Sequence, residues 1–226
     1  MKFILKGIQK SRRRPIIAGE LGTLLSLEYY SKDNPSIPLN VKEISPENRF
    51  DKVKSNLFST LILYLFLELI EKTIPDGVTD KKAFHLLYNA LEGLEKFGSN
   101  LLIIPFFKYK LLLHLGLVPT QFHCTGCGSV ILEKKAVKLI YNTLETFCPD
   151  CDNFNENDID IIYILKGITH STYEIFLNEK ISENYLLKIN KILDKYIIYS
   201  MNIEIKSSDV LYKSLEELKQ LDTNYK

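Results

Sequence analysis

Apolar positions along the chain change their period near residue 45. Up to Ile44 they come in short runs, Met1–Leu5, Gly22–Tyr30 and Ile37–Ile44, separated by glycine, proline and charged residues. Short apolar runs bounded by turn signals such as Ser31–Pro38 read as strands. From Ser45 the spacing turns helical. Ser45-Pro46-Glu47 offers a hydroxyl cap, a proline for the first helical position and an acid for the first turn. The helix it predicts runs to about Thr73, before Pro75-Asp76-Gly77, and is apolar nearly all round from Leu57, which places it at the centre of a bundle.

Further helices follow. Asp80 opens one to about Lys96, with Ala83, Leu86, Leu87, Ala90, Leu91 and Leu94 on a single face. The next covers about Leu101 to Leu115, with Pro105 near its start or kinking it, and ends at Gly116 and Pro119. Partial alternation at Val137, Leu139, Tyr141 and Leu144 fits a short hairpin within Val130–Phe147. Asn157 or Asp158 caps a helix to Ile168, Ser182 caps one to about Tyr199, and Ser208 or Asp209 opens a last one to about Leu221. The fold class is therefore α+β and mostly α. A β unit over residues 1–45 precedes a helical domain over 46–226, which carries an insertion at 122–155.

That insertion holds every cysteine: Cys124, Cys127, Cys148 and Cys151, as C-x2-C-x20-C-x2-C. The spacing is that of a four-thiolate zinc site. Gly126 and Gly128 supply the tight first turn, and Pro149 fixes φ in the second. A pair of disulfides is disfavoured because no secretion signal precedes the chain. A thioredoxin-like redox pair needs one C-x-x-C, not two. Four thiolates leave no open position for water or substrate, so the metal expected is structural zinc rather than catalytic.

Composition adds two constraints. At 226 residues with 46% hydrophobic content the chain can build a large core, and a net charge of +1 says nothing about partners. The longest apolar run, Leu57–Ile70, is 14 residues and includes Ser59, Thr60 and Glu68, whereas a membrane span needs about 20. The compartment expected is the cytoplasm.

Charge is concentrated at one end. Lys2, Lys6, Lys10, Arg12, Arg13 and Arg14 precede the first acid, Glu20. On a β unit such a run can track phosphates, although basic chain ends are often only solvated loops. Phe3, Tyr29 and Tyr30 are candidate base-stacking rings, each more readily core. His85, His114, His123 and His170 show no ligand spacing to one another, and no G-x-S-x-G, P-loop or H-E-x-x-H occurs. No H-x-E precedes the second cysteine pair, as a zinc deaminase would need. Nothing suggests an enzyme. Two readings remain, a DNA-binding protein and a protein-interaction adaptor without autonomous DNA binding.

Several longer stretches bear on that choice. The segment KGIQKSRRR leads into the helices, LLLHLGLVP runs into CTGCG and later FCPDC, and LDKYIIYSMNIEIKSSDVL closes the chain. Together they resemble the bacterial recombination mediator and DNA repair family RecO, over nearly the whole chain. The resemblance implies a partial OB-type β unit, since members of that family begin with two further strands before the Lys-Gly segment. It implies Lys6, Lys10, Arg12, Arg13 and Arg14 as phosphate contacts, and the four cysteines as ligands of structural zinc. It also implies a non-catalytic, nucleoid-associated protein that binds single- and double-stranded DNA and anneals strands. Its partners would be RecR, the acidic tail of single-stranded DNA-binding protein and, indirectly, RecA.

Overall fold

The computed structural model of the chain describes residues 3–4, 19–30 and 39–224. At the front, strand β3 (Leu39–Asn48) pairs in parallel with β1 (Phe3–Ile4) and antiparallel with β2 (Leu24–Tyr29). The helix expected from Ser45 does not form there. Ser45 sits opposite Ser26 and Pro46 opposite Leu25, and the register jumps between Leu24 and Leu25. Pro46 thus lies at a bulge, where the ladder does not need its missing N–H. Pairing with β2 overrides a local cap signature.

The chain leaves the sheet through Phe50, at φ 51°, whose N–H is held by Asn48 Oδ1 at 3.0 Å. Helix α1 (Asp51–Ser55) starts here. Its first N–H groups, on Lys52 and Val53, donate at 3.2 and 3.0 Å to the Glu95 carboxylate, which comes from another helix. Asn56 breaks the helix in an extended conformation and caps α2 (Leu57–Thr73) by accepting from Ser59 N at 2.9 Å.

Helix α3 (Lys81–Phe97) starts as its sequence predicts, with Asp80 Oδ1 accepting from Ala83 N at 2.9 Å. In α4 (Ile103–His114), Pro105 occupies the first turn, where no intrahelical partner is lost. This helix, rather than α2, is the centre of the bundle. Nine of its twelve residues are buried, and it packs on α3 and on three helices introduced below, α5, α6 and α7. On α2, Leu57 and Tyr64 face outward at 66% and 43% exposure, while Phe66 stacks on Phe107 of α4 with centroids 3.9 Å apart.

The cysteine-bearing segment follows α4. It contains a 3-10 turn at Ile131–Glu133 and a two-residue hairpin, β4 (Lys138–Leu139) with β5 (Thr146–Phe147). Four more helices complete the chain: α5 (Ile159–His170), α6 (Tyr173–Phe176), α7 (Glu183–Met201) and α8 (Lys206–Asn224). Helix α8 begins two residues before the expected start. Lys206 N and Ser207 N donate to the Glu68 carboxylate of α2 at 3.1 and 2.8 Å, so the cap is supplied from the far side of the fold. Among the described residues no helix is long and apolar enough to cross a membrane.

Candidate metal centre

The first knuckle is a closed turn: Gly128 N donates to Cys124 O at 2.8 Å, and Cys124 N to Ser129 O at 2.9 Å. Gly128 stands at φ +74°, as the knuckle requires. Gly126 answers to space instead, because a Cβ there would lie 2.9 Å from Cys151 Sγ. In the second knuckle Cys151 N donates to Cys148 O at 3.0 Å. The two turns are stitched by Thr125 N to Thr146 O at 2.8 Å and Thr146 Oγ1 to His123 O at 2.7 Å.

These bonds bring the four Sγ atoms within 4.8 Å of one another. Cys127 Sγ and Cys148 Sγ are 3.7 Å apart. A tetrahedron with bonds of about 2.3 Å has edges of about 3.8 Å, so the sulfurs stand close to the spacing zinc requires. Cys148 N also donates to Cys124 Sγ at 3.3 Å, the kind of outer bond that orients a thiolate. Among the described residues this is the one cluster of three or more His, Cys, Asp or Glu that could hold a metal ion.

The sequence that carries this centre is similar to known proteins. Residues 54–209 match the family model described as the C-terminal part of recombination protein O. The DNA repair protein RecO of Leptospira biflexa serovar Patoc is 30% identical over 218 residues, 96% of this chain and 87% of that protein. The chain belongs to the RecO family. The DNA repair protein RecO of Desulforamulus reducens is 27% identical over 172 residues, covering 73% of this chain and 66% of its own. That of Roseiflexus sp. matches over 111 residues at 28% identity, 49% of this chain and 39% of its own.

Electrostatics give this RecO family member's cysteine cluster its chemistry. Burial pushes the Cys124 thiol up, but the N–H groups of Cys148, Cys127 and Gly126 outweigh it and bring it down to about 6. The Ser129 hydroxyl and N–H also lower Cys127. Cys151 moves the other way, to about 12, because Cys127, Cys124 and Cys148 sit against it. Four adjacent sulfurs cannot all ionise on their own, and a bound divalent cation removes that conflict. The donor set therefore fits a metal ion with four thiolate ligands.

The cluster is fastened to the bundle rather than hung from it. Cys124 and Cys148 are buried, and Phe122, Ile131, Val137, Leu139 and Leu144 join the same core as the helices. The hinge point is Asp158, 3% exposed at the start of α5. Its carboxylate accepts from Leu139 N at 3.1 Å, Tyr141 OH at 3.2 Å and Lys188 Nζ of α7 at 2.8 Å. Asn157 Oδ1 accepts from Val137 N at 3.0 Å. Sequence reasoning saw these two residues only as caps.

The remaining expected sites are placed less fully. Lys6, Lys10, Arg12, Arg13 and Arg14 lie outside the described residues, and Phe3 is described only by its pairing with Leu39. Tyr29, the last residue of β2, and Tyr30 just after it are 43% and 60% exposed. His114 bonds Asp80, the cap of α3, at 2.6 Å, which gives it a structural task.

One unforeseen feature lies deeper. Lys108, fully buried in α4, pairs with Asp194 Oδ1 of α7 at 2.6 Å. Asp194 Oδ2 accepts from Ser208 Oγ at 2.6 Å and Tyr212 OH at 2.8 Å on α8. Burial pushes Lys108 toward losing its proton, yet Asp194 and Tyr212 hold it above its ordinary value. This pair fixes α8 to the central helix.

Proposed function

We propose that the protein acts in DNA repair as a non-catalytic recombination mediator. In this reading it binds single- and double-stranded DNA, anneals complementary strands, and with RecR helps RecA replace single-stranded DNA-binding protein. The observation that carries it is the match to DNA repair proteins over 96% of the chain. The N-terminal β unit supplies the DNA contacts, through Lys6, Lys10, Arg12, Arg13 and Arg14. Zinc held by Cys124, Cys127, Cys148 and Cys151 supplies a cross-link between the two knuckles and no reaction chemistry. The helical domain offers the surface for RecR and for the acidic tail of single-stranded DNA-binding protein.

Contacts of this kind are electrostatic, so affinity falls steeply with salt, with a log–log slope of about −0.7 per neutralised phosphate on single strands. Replacing Arg12, Arg13 and Arg14 together by alanine removes about two units of that slope. Fluorescence anisotropy of a labelled oligonucleotide across a salt series measures it, with strand annealing as the second readout. An unchanged slope takes the basic segment out of the mechanism. Partner binding without any DNA binding or annealing favours the adaptor reading instead.

A further inference from the structure

Helix α7 runs for 19 residues, and the charge on its outer face is one-sided. Between Glu183 and Glu204 the only acidic residue is Asp194. Asp194 is 7% exposed and neutralised from inside by Lys108, 2.6 Å away. The outer face of α7 is left with Lys188, Lys191 and Lys195 and no exposed carboxylate of its own between Glu183 and Glu204. Asp160 of α5 meets it only at its start, where it accepts from Tyr185 OH at 2.8 Å. Lys188 is bound to the buried Asp158, but Lys191 and Lys195 have no ion-pair partner among the described residues. Flanking the lysines are Tyr185 on one side and Ile198 and Tyr199 on the other, at 40%, 44% and 64% exposure.

Beside this face runs the groove between α7 and α8, with a volume of about 660 Å³. Lys191, Lys195 and Ile198 form one wall, and Lys206, Glu204 and Asp209 stand on the other. Its floor includes Asp194, Ser208 and Tyr212, whose polar atoms already satisfy one another. The floor asks for no hydrogen bonds from a ligand, and the cations stand on the α7 side with Lys206 opposite, while Glu204 and Asp209 keep a polyanion to the α7 rim.

We propose that the outer face of α7 and the adjoining groove form a second track for single-stranded polynucleotide, separate from the N-terminal β unit. Lysines on successive turns, about 4.5 to 6 Å apart along the axis, follow a phosphate backbone. Exposed tyrosine rings at both ends, about 21 Å apart, give bases flat surfaces on which to stack. A face of that length bearing rings suits an extended chain of bases better than a short acidic peptide, which would need only the groove. The inference rests on the DNA-binding reading above and extends it to a surface that reading does not use. Internal pairing of Lys108 with Asp194 makes it possible, since a free carboxylate in mid-helix would repel phosphates.

The full-length protein carrying Lys191→Gln, Lys195→Gln and Lys206→Gln tests this against the parent. The substitutions are at exposed side chains, and an unchanged thermal midpoint confirms folding. The salt slope for a labelled oligothymidine should fall by about two units, at about 0.7 per phosphate. Photocrosslinking of a bromouracil-containing strand to Tyr199 should be lost in Tyr199→Leu. If the parent binds DNA and the triple variant keeps its slope, the second track is refuted while the DNA-binding reading stands. If the parent binds no DNA, both fall. A triple variant that keeps its slope but loses an acidic apolar peptide would make the groove a peptide site and overturn the proposal.

Discussion

Removing the charge of Glu68 should detach the start of α8 from α2. The Glu68 side chain is 16% exposed and pairs with Lys72 Nζ at 2.9 Å. It also takes the first two N–H groups of α8, at 3.1 and 2.8 Å, and the Ser207 hydroxyl. Burial alone would raise its carboxyl, but the Ser207 hydroxyl, Lys72 and the two N–H groups together draw it down from 4.5 to about 2. A carboxyl held lower in the folded chain than in the unfolded one stabilises above its unfolded value. That contribution is lost as pH falls from about 4.5 to about 2. At about 1.4 kcal/mol per unit the drop corresponds to about 3.5 kcal/mol as an upper bound. Glu68→Gln keeps an acceptor and loses the charge, so a loss of about 2 kcal/mol at pH 7 is expected, with a midpoint about 4–8 °C lower. Urea unfolding followed by circular dichroism, on both proteins at pH 7 and again near pH 3, reads the difference. It should shrink on acidification. A gap that stays constant with pH, or no gap at pH 7, would refute the capping argument.

Two further perturbations address the interior and the cysteine cluster. Lys108→Met leaves Asp194 buried without its counter-charge and should cost about 3–5 kcal/mol in urea unfolding. Adding Asp194→Leu should return only part of that loss, because it removes the unpaired charge but leaves the Ser208 and Tyr212 hydroxyls without their acceptor. Gly126→Ala forces a methyl to within 2.9 Å of Cys151 Sγ. It should weaken metal retention against a competing chelator by about ten-fold or more, as changes around metal ligands do, while leaving helix content unchanged.

What could be read from the sequence was local. Asp80 caps α3 with its own side chain, Pro105 sits where helices accept proline, and Gly128 takes the positive φ of the knuckle. The cysteine spacing brought together the four sulfurs it implied. The misses share one cause, which is a partner far away in the chain. Ser45-Pro46-Glu47 has every feature of a helix start, yet β2 pairs with it first. Helices α1 and α8 begin where Glu95 and Glu68 reach them from other helices. A lysine amid α4's apolar residues signals nothing until Asp194 of α7 is placed beside it. The rank of α2 as central also failed, because an apolar sequence does not say which faces find neighbours.

The most direct test of the whole account is the metal content of freshly purified, reduced protein. One zinc per chain is expected by elemental analysis, with loss of both zinc and thermal stability in Cys148→Ser and on treatment with a strong chelator. Metal-free protein whose unfolding is indifferent to chelators would contradict the central claim that a four-thiolate ion clamps the two knuckles into the helical core.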